Sequence, residues 1–141
     1  MFLSLADRDK AQGVEAGRIL HELGFGLVAT AGTATALGAV GVPVERVVAK
    51  IGEAEGVDAL ELMAEGRIAL VVNSPRGRGS RADGAHIRHA AGEHRIPLVT
   101  TGAAALAAAR GMAEWSNRAL SVRTLQEFHR GGTEQQASLP L

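Results

Sequence analysis

Short apolar runs alternate with segments of helical periodicity along most of this chain. The apolar runs have the length of buried strands, and they predict five strands at residues 2–5, 27–29, 43–48, 68–72 and 96–100. Between these runs, apolar residues recur at intervals of three and four, which predicts helices at 9–23, 33–37, about 57–65, 83–94 and 103–112. A short sixth strand at 120–123 and a turn or helix at 125–130 complete the pattern.

The order of these elements predicts the fold class. Strands that alternate with helices of this length form βαβ units, so we expect an α/β domain with a five-stranded parallel sheet and helices on both faces. Pro43 has no backbone N–H and places the third strand near an edge of the sheet. Gly24 ends the first helix, and His94 is expected on the inward face of the fourth. Residues 1–130 form one domain in this interpretation, and residues 131–141 a disordered tail.

Composition narrows the functional classes. The chain has a formal net charge of zero and few aromatic residues, which argues against a nucleic-acid binder. It has no cysteine, which excludes thiolate catalysis and cysteine-ligated metals. No apolar run approaches the roughly 20 residues of a membrane span, and no signal peptide is evident, so we expect a cytoplasmic protein. A strand that follows Met1 almost at once is expected of an excised domain with an added methionine.

In a parallel α/β sheet, ligands bind beyond the carboxyl ends of the strands. After the second predicted strand, Thr30 and Thr33 bracket Gly32 just before a helix. The glycine permits a close approach of a ligand to the backbone, and the free N–H groups of a helix start favour an anion. Two interpretations stay open here: a phosphate site that both hydroxyls reach from the rim of the sheet, or a helix cap supplied by Thr33.

Lysine is rare in this chain, and both copies fall at the same predicted edge of the sheet. Lys50 closes the third predicted strand and Lys10 follows the first, whereas the other 13 of the 15 basic residues are arginines. Because lysine contacts a phosphate as a point charge, both are candidate phosphate ligands, with a solvated surface position as the alternative.

The fourth predicted strand ends in Asn73, whose amide is well placed to hydrogen-bond a polar group of a ligand. A loop rich in glycine and arginine follows, in which we expect Arg78 to face water. Asp83, beyond this loop, either binds a sugar hydroxyl or caps the next helix.

The chain carries no recognisable catalytic or metal motif. His86, His89 and Glu93 share one helical face, but no ligand from elsewhere joins them, so we expect no metal site. Nucleophile-elbow, Walker and dinucleotide-binding motifs are also missing from the sequence.

Taken together, several segments resemble the C-terminal regulatory domain of bacterial carbamoyl phosphate synthetase large chains. The resemblance extends over residues 2–130 and is carried by the segments at 4–10, 23–34, 50–53, 73–83 and 122–129. The last of these, Val-Arg-Thr-Leu-Gln-Glu-Phe-His, is especially specific. The resemblance implies the methylglyoxal-synthase-like fold, a three-layer sandwich, and a domain that binds a nucleoside monophosphate such as UMP or IMP without being a catalyst itself.

The family's contacts also transfer to this chain by resemblance. Its effector-binding residues fall on Lys10, Thr30, Thr33, Lys50, Asn73 and Asp83. Thr100 matches one residue of its ornithine site, but Val99 replaces an acidic neighbour, which puts ornithine control in doubt. Pro75 stands where some relatives have a threonine, so one pocket hydroxyl is missing.

The parent enzyme implied by the resemblance makes carbamoyl phosphate from glutamine, bicarbonate and ATP for pyrimidine and arginine biosynthesis. Its ATP and magnesium belong to catalytic domains that this sequence does not contain, so no cofactor is expected here. The implied partners are the effector, the catalytic part of the large chain and the glutaminase small chain, with no nucleic acid and no membrane.

An alternative within the same superfamily is methylglyoxal synthase, which acts on dihydroxyacetone phosphate. That enzyme needs histidine and aspartate side chains around its phosphate site for proton transfer. Ala6 and Ser80 stand at its two histidine positions, and Asn73 stands at the position of one aspartate. We therefore expect this chain to bind a phosphate without acid–base chemistry.

Overall fold

A five-stranded, all-parallel sheet with helices on both faces forms the domain. The computed structural model describes residues 1–48, 59–74, 81–117, 124–127 and 129, and only the backbone at 81–83. The strands are β1 (Phe2–Ser4), β2 (Val28–Thr30), β3 (Arg46–Val48), β4 (Val71–Asn73) and β5 (Leu98–Val99). The helices are α1 (Lys10–Glu22), α2 (Ala31–Gly38), α3 (Ala59–Ala64), α4 (Arg81–Glu93) and α5 (Gly102–Asn117), and a 3-10 turn (Asp7–Asp9) precedes α1. The predicted α/β class and parallel sheet are confirmed.

The strand order is β3-β2-β1-β4-β5. The chain builds outward from β1 on one side through β2 to β3, crosses back, and then builds outward on the other side through β4 to β5. The direction of winding therefore reverses between β1 and β4, which is where an open parallel sheet forms a crevice beyond its carboxyl edge. β3 is an edge strand, as the proline before it predicts.

Alternate residues of β1 and β4 divide between two cores. Leu3 and Val72 pack with α1, α2 and α5, whereas Phe2 and Val71 pack with α3 and α4. This division follows from the period of two along a strand, which directs neighbouring side chains to opposite faces. Because helices cover both faces of the sheet, the residues of β4 that precede Asn73 are all apolar.

Some predicted boundaries differ from the structure. The helix after β2 begins at Ala31 and not at Thr33, and α5 continues to Asn117. The expectation that His94 faces inward is wrong: α4 ends at Glu93, and His94 is exposed in the turn that follows. Arg95 has a φ of 55° and changes the direction of the chain there. The three- and four-residue spacing of the helix therefore no longer determines where the His94 side chain points.

Three predicted segments, at the C-terminal end of the chain, lie partly or wholly outside the described residues. The candidate strand at 120–123 and the tail at 131–141 lie outside the described residues, while residues 125–127 form a helical turn. None of the described helices is long and apolar enough to cross a membrane.

Candidate functional site at the carboxyl edge of the sheet

Three strands end level with one another at the carboxyl edge. Leu3 pairs with Ala29 and Ser4 with Asn73, so the register brings Thr30, Ser4 and Asn73 side by side. Neighbouring strands lie about 4.8 Å apart, which puts the ends of β2 and β4 roughly 10 Å from each other with β1 between them. The edge therefore offers a site long enough for a small phosphorylated molecule.

The segment that leaves β1 is fixed by two buried hydroxyls. Thr33 Oγ1 accepts the backbone N–H of Leu5 at 2.9 Å, and Ser74 Oγ accepts that of Ala6 at 2.7 Å. One hydroxyl comes from α2 and the other from the residue after β4, so the exit of β1 is held from both sides. No sequence signal marks Ser74 as a site residue, because a serine beside a glycine-rich loop is an ordinary loop residue.

Both open interpretations of the Thr33 side chain need revision. Thr33 is fully buried, at 0% exposure, so its side chain does not lie on the rim of the sheet. Nor does it cap the helix: the cap residue of α2 is Thr30, and no side chain makes a capping hydrogen bond there. The Thr30 hydroxyl instead donates to Thr33 Oγ1 at 3.2 Å. The N–H groups of the first turn of α2 consequently have no side-chain cap.

Lys10 lies at the same edge, as the first residue of α1 after β1. Its ammonium group pairs with Asp7 at 2.8 Å, and its side chain is 31% exposed. A phosphate would compete with the Asp7 carboxylate for this cation. Of the other predicted contacts, Lys50 lies outside the described residues and Asp83 is described by its backbone only, within α4.

Asn73 is 4% exposed at the end of β4. Its amide nitrogen is buried and has no hydrogen-bond partner within the described part of the chain. Buried side-chain amides nearly always have a partner, so an unpaired one at this edge is a polar group available to a ligand.

Asp9 links the exit of β1 to the start of α5. Its Oδ1 accepts the backbone N–H of Gly102 at 2.9 Å, and Thr100, the predicted ornithine contact, is exposed just before this point. A Cβ on Gly102 would lie only 2.6 Å from the carbonyl oxygen of Asp9, so this approach requires a glycine. No local pattern predicts this contact, since an acidic residue is ordinary at the start of its own helix.

The histidine face of α4 is on the surface. His89 Nε2 lies 3.5 Å from Glu93 Oε1, and both side chains are exposed. No group of three potential metal ligands occurs among the described residues.

Two cavities lie away from the carboxyl edge. One, of about 380 Å³, is at the opposite edge beside Met1, Glu45 and Arg67. The other, of about 710 Å³, is lined mainly by apolar side chains of α5 and of the turn that contains Leu23 and Phe25. Neither includes a residue that the sequence predicts as a ligand contact.

Comparison with known proteins identifies the domain. The sequence profile of the MGS-like domain matches residues 12–100, well over half of the chain. The chain belongs to the MGS-like domain family. Within that family, it is 43% identical over 134 residues to the carbamoyl phosphate synthase large chain of Rubrobacter xylanophilus, a match that covers 94% of this chain and 12% of that protein.

Two other relatives likewise match most of this MGS-like domain with a small part of their own length. It is 39% identical to the C-terminal section of the large chain in Methanocaldococcus jannaschii, covering 91% of this chain and 21% of that protein. It is also 50% identical over 102 residues to the large chain of Thermomicrobium roseum, covering 72% of this chain and 9% of that protein. The domain is thus homologous to the C-terminal MGS-like section of these large chains and spans a small part of their length.

Proposed function

We propose that this MGS-like domain is the regulatory, effector-binding domain of a carbamoyl phosphate synthetase large chain and binds a nucleoside monophosphate such as UMP or IMP. The observation that carries the proposal is the buried amide of Asn73, which has no hydrogen-bond partner among the described residues, at the winding reversal of the sheet. It lies level with Thr30, beside which the first turn of α2 offers N–H groups to an anion.

The phosphate is assigned to the β2 side of this edge. There the N–H groups of Gly32 and Thr33 and the hydroxyl of Thr30 favour an anion, and Lys10 supplies positive charge. Lys50 is the second lysine that the sequence predicts as a phosphate contact. The Thr33 side chain acts indirectly, because its hydroxyl fixes the exit of β1 beneath the phosphate. The nucleoside extends toward β4, where Asn73 contacts its polar groups, and Asp83 is the further contact that the sequence predicts.

Ala6 favours binding over catalysis. It stands where methylglyoxal synthase has a histidine, it is buried, and its backbone N–H is held by Ser74. An alanine side chain can neither donate nor accept a proton, so this position supplies no acid–base group.

The rest of the proposed role follows from the relatives. The catalytic part of the large chain and the glutaminase small chain would be the macromolecular partners, in a cytoplasmic enzyme that supplies carbamoyl phosphate to pyrimidine and arginine biosynthesis. Thr100 would lie where ornithine binds between this domain and the catalytic part. ATP and magnesium would act in the catalytic domains and not here.

Thermal unfolding in the presence of nucleoside monophosphates tests the proposal. A ligand at 100 times its dissociation constant stabilises the folded state by about 2.7 kcal/mol, which is a clear rise in Tm for a domain of this size. UMP or IMP should raise Tm, and ribose or uracil alone should not. Conversion of dihydroxyacetone phosphate to methylglyoxal at about 1 per second, an ordinary enzyme rate, would instead establish the alternative enzyme function.

A further inference from the structure

Helix α5 has a second uncharged face besides the one that packs in the core. Gly102, Ala105 and Ala109 are buried on its inner face. A line of small and apolar residues runs along the outside of the helix at intervals of four, three and four positions: Ala104, Ala108, Gly111 and Trp115. The two charged residues of α5, Arg110 and Glu114, both lie to one side of this outer stripe. A helix that is apolar on more than one face is typical of a helix covered by protein on each of them.

The outer stripe ends in an apolar groove. Trp115 is 67% exposed, and Phe25, in the turn after α1, is 38% exposed. Both line the cavity of about 710 Å³, together with Gly111, where an added Cβ would meet nothing within 4 Å. The chain has only four aromatic residues, and two of them are exposed on this one groove. Exposed aromatic side chains grouped on an apolar surface mark a site of protein–protein contact.

We propose that the outer stripe and this groove form the surface on which the catalytic part of the large chain docks, through an apolar face of one of its helices. The inference rests on the proposed function and adds to it the surface of contact and the kind of partner.

Position and size favour the catalytic part as the occupant. The stripe begins beside Thr100, the proposed contact with that part, and covers roughly 16 Å from Ala104 to Trp115. The domain matches only 12% of the large chain of Rubrobacter xylanophilus, so most of such a chain lies outside the domain and is available to cover α5.

The chemistry of the surface favours an apolar helix as the contacting element. The stripe has no charged side chain, and interface centres are depleted of charge on both partners. Side chains as small as alanine and glycine let two helix axes approach to about 8 Å. An aliphatic side chain of the partner helix would then enter the groove between Trp115 and Phe25.

Hydroxyl-radical footprinting tests the inference. Oxidation of Trp115 is followed by mass spectrometry in the domain with and without the catalytic part of its large chain. Trp115 should oxidise about 5-fold or more slowly with the catalytic part present, because an aromatic side chain at the centre of an interface loses nearly all of its contact with water. Val40, which is 56% exposed in the turn after α2, should oxidise at the same rate in both.

Gly111→Glu and Val40→Glu provide a matched pair of variants. The first places a carboxylate in the groove, and the second places the same group on an exposed position away from α5. With the catalytic part present, Gly111→Glu should bring the oxidation of Trp115 to within about 2-fold of its rate in the domain alone, since an unpaired buried charge opposes docking. Val40→Glu should keep the protection. Gly111→Glu should not lower the Tm of the domain alone, because glutamate is favoured over glycine inside a helix.

Each outcome decides a separate point. If Trp115 oxidises equally with and without the catalytic part, or if Gly111→Glu keeps the protection, the outer stripe is not the docking surface. Slow oxidation of Trp115 in the domain alone also contradicts the inference. Protection lost on dilution would then identify a second copy in the groove, and protection kept on dilution would identify another segment of this chain. In all these cases a rise in Tm with UMP or IMP leaves the proposed function standing, and its absence overturns that function whether or not Trp115 is protected.

Discussion

The hydroxyl oxygen of Thr33 accepts the backbone N–H of Leu5 at 2.9 Å, across 28 residues of sequence. This bond ties the first turn of α2 to the exit of β1 and is buried on all sides. A residue expected to contact a ligand from the rim is thus part of the framework that shapes the site.

Thr33→Val should therefore destabilise the domain. Valine keeps the shape of threonine but cannot accept the Leu5 N–H or the Thr30 hydroxyl, and the loss of a buried hydrogen bond costs about 1 kcal/mol. Chemical denaturation measures the effect, and Thr33→Ser, which keeps the oxygen, is the control for hydrogen bonding. A valine variant as stable as the parent would show that the Thr33–Leu5 bond contributes nothing.

Gly102 and Gly111 provide a matched pair of substitutions in α5. Alanine at Gly102 places a Cβ 2.6 Å from the backbone oxygen of Asp9, so the helix start must shift, at a cost of about 1–3 kcal/mol. Alanine at Gly111 meets nothing within 4 Å and should stabilise the helix by about 0.5–1 kcal/mol. Urea denaturation of both variants should give free-energy changes of opposite sign, and changes of the same sign would contradict the close approach of Asp9 and Gly102.

Lys50→Ala should weaken nucleotide binding without unfolding the domain. A charge-assisted contact to the phosphate contributes about 1.5–3 kcal/mol, which corresponds to roughly a 10- to 100-fold loss of affinity. Arg78→Ala is the control, because that arginine is expected to face water. Calorimetry on both would assign the phosphate to the arginine loop if the arginine variant lost affinity and the lysine variant did not.

The acid stability of the domain should depend on Glu15. Two hydrogen bonds from Arg18 hold the pKa of the Glu15 carboxyl below its ordinary value of 4.5. The folded state therefore binds this proton less readily than the unfolded state, so the stabilisation is complete above pH 4.5 and is lost as pH falls through the lower, folded pKa.

Denaturation across the acid range checks this dependence. Glu15→Gln and Arg18→Gln should each lose less stability on acidification than the parent, because the first removes the titrating group and the second removes the cause of its shift. An unchanged acid profile in both variants would show that other carboxylates govern acid unfolding.

Local patterns in the sequence determined the class of this fold. Periods of two and of three to four report which face of an element is buried, so the five strands, the intervening helices and the edge position of β3 could all be predicted. The ordered segments that resemble a regulatory domain also identified the family, and the profile match at residues 12–100 agrees with it.

Only the tertiary structure decided how the edge of the sheet is built. The bonds of Leu5 with Thr33, Ala6 with Ser74 and Gly102 with Asp9 join residues 28, 68 and 93 positions apart. Strand order and register determine these hydrogen-bond partners, and no local periodicity in the sequence indicates them.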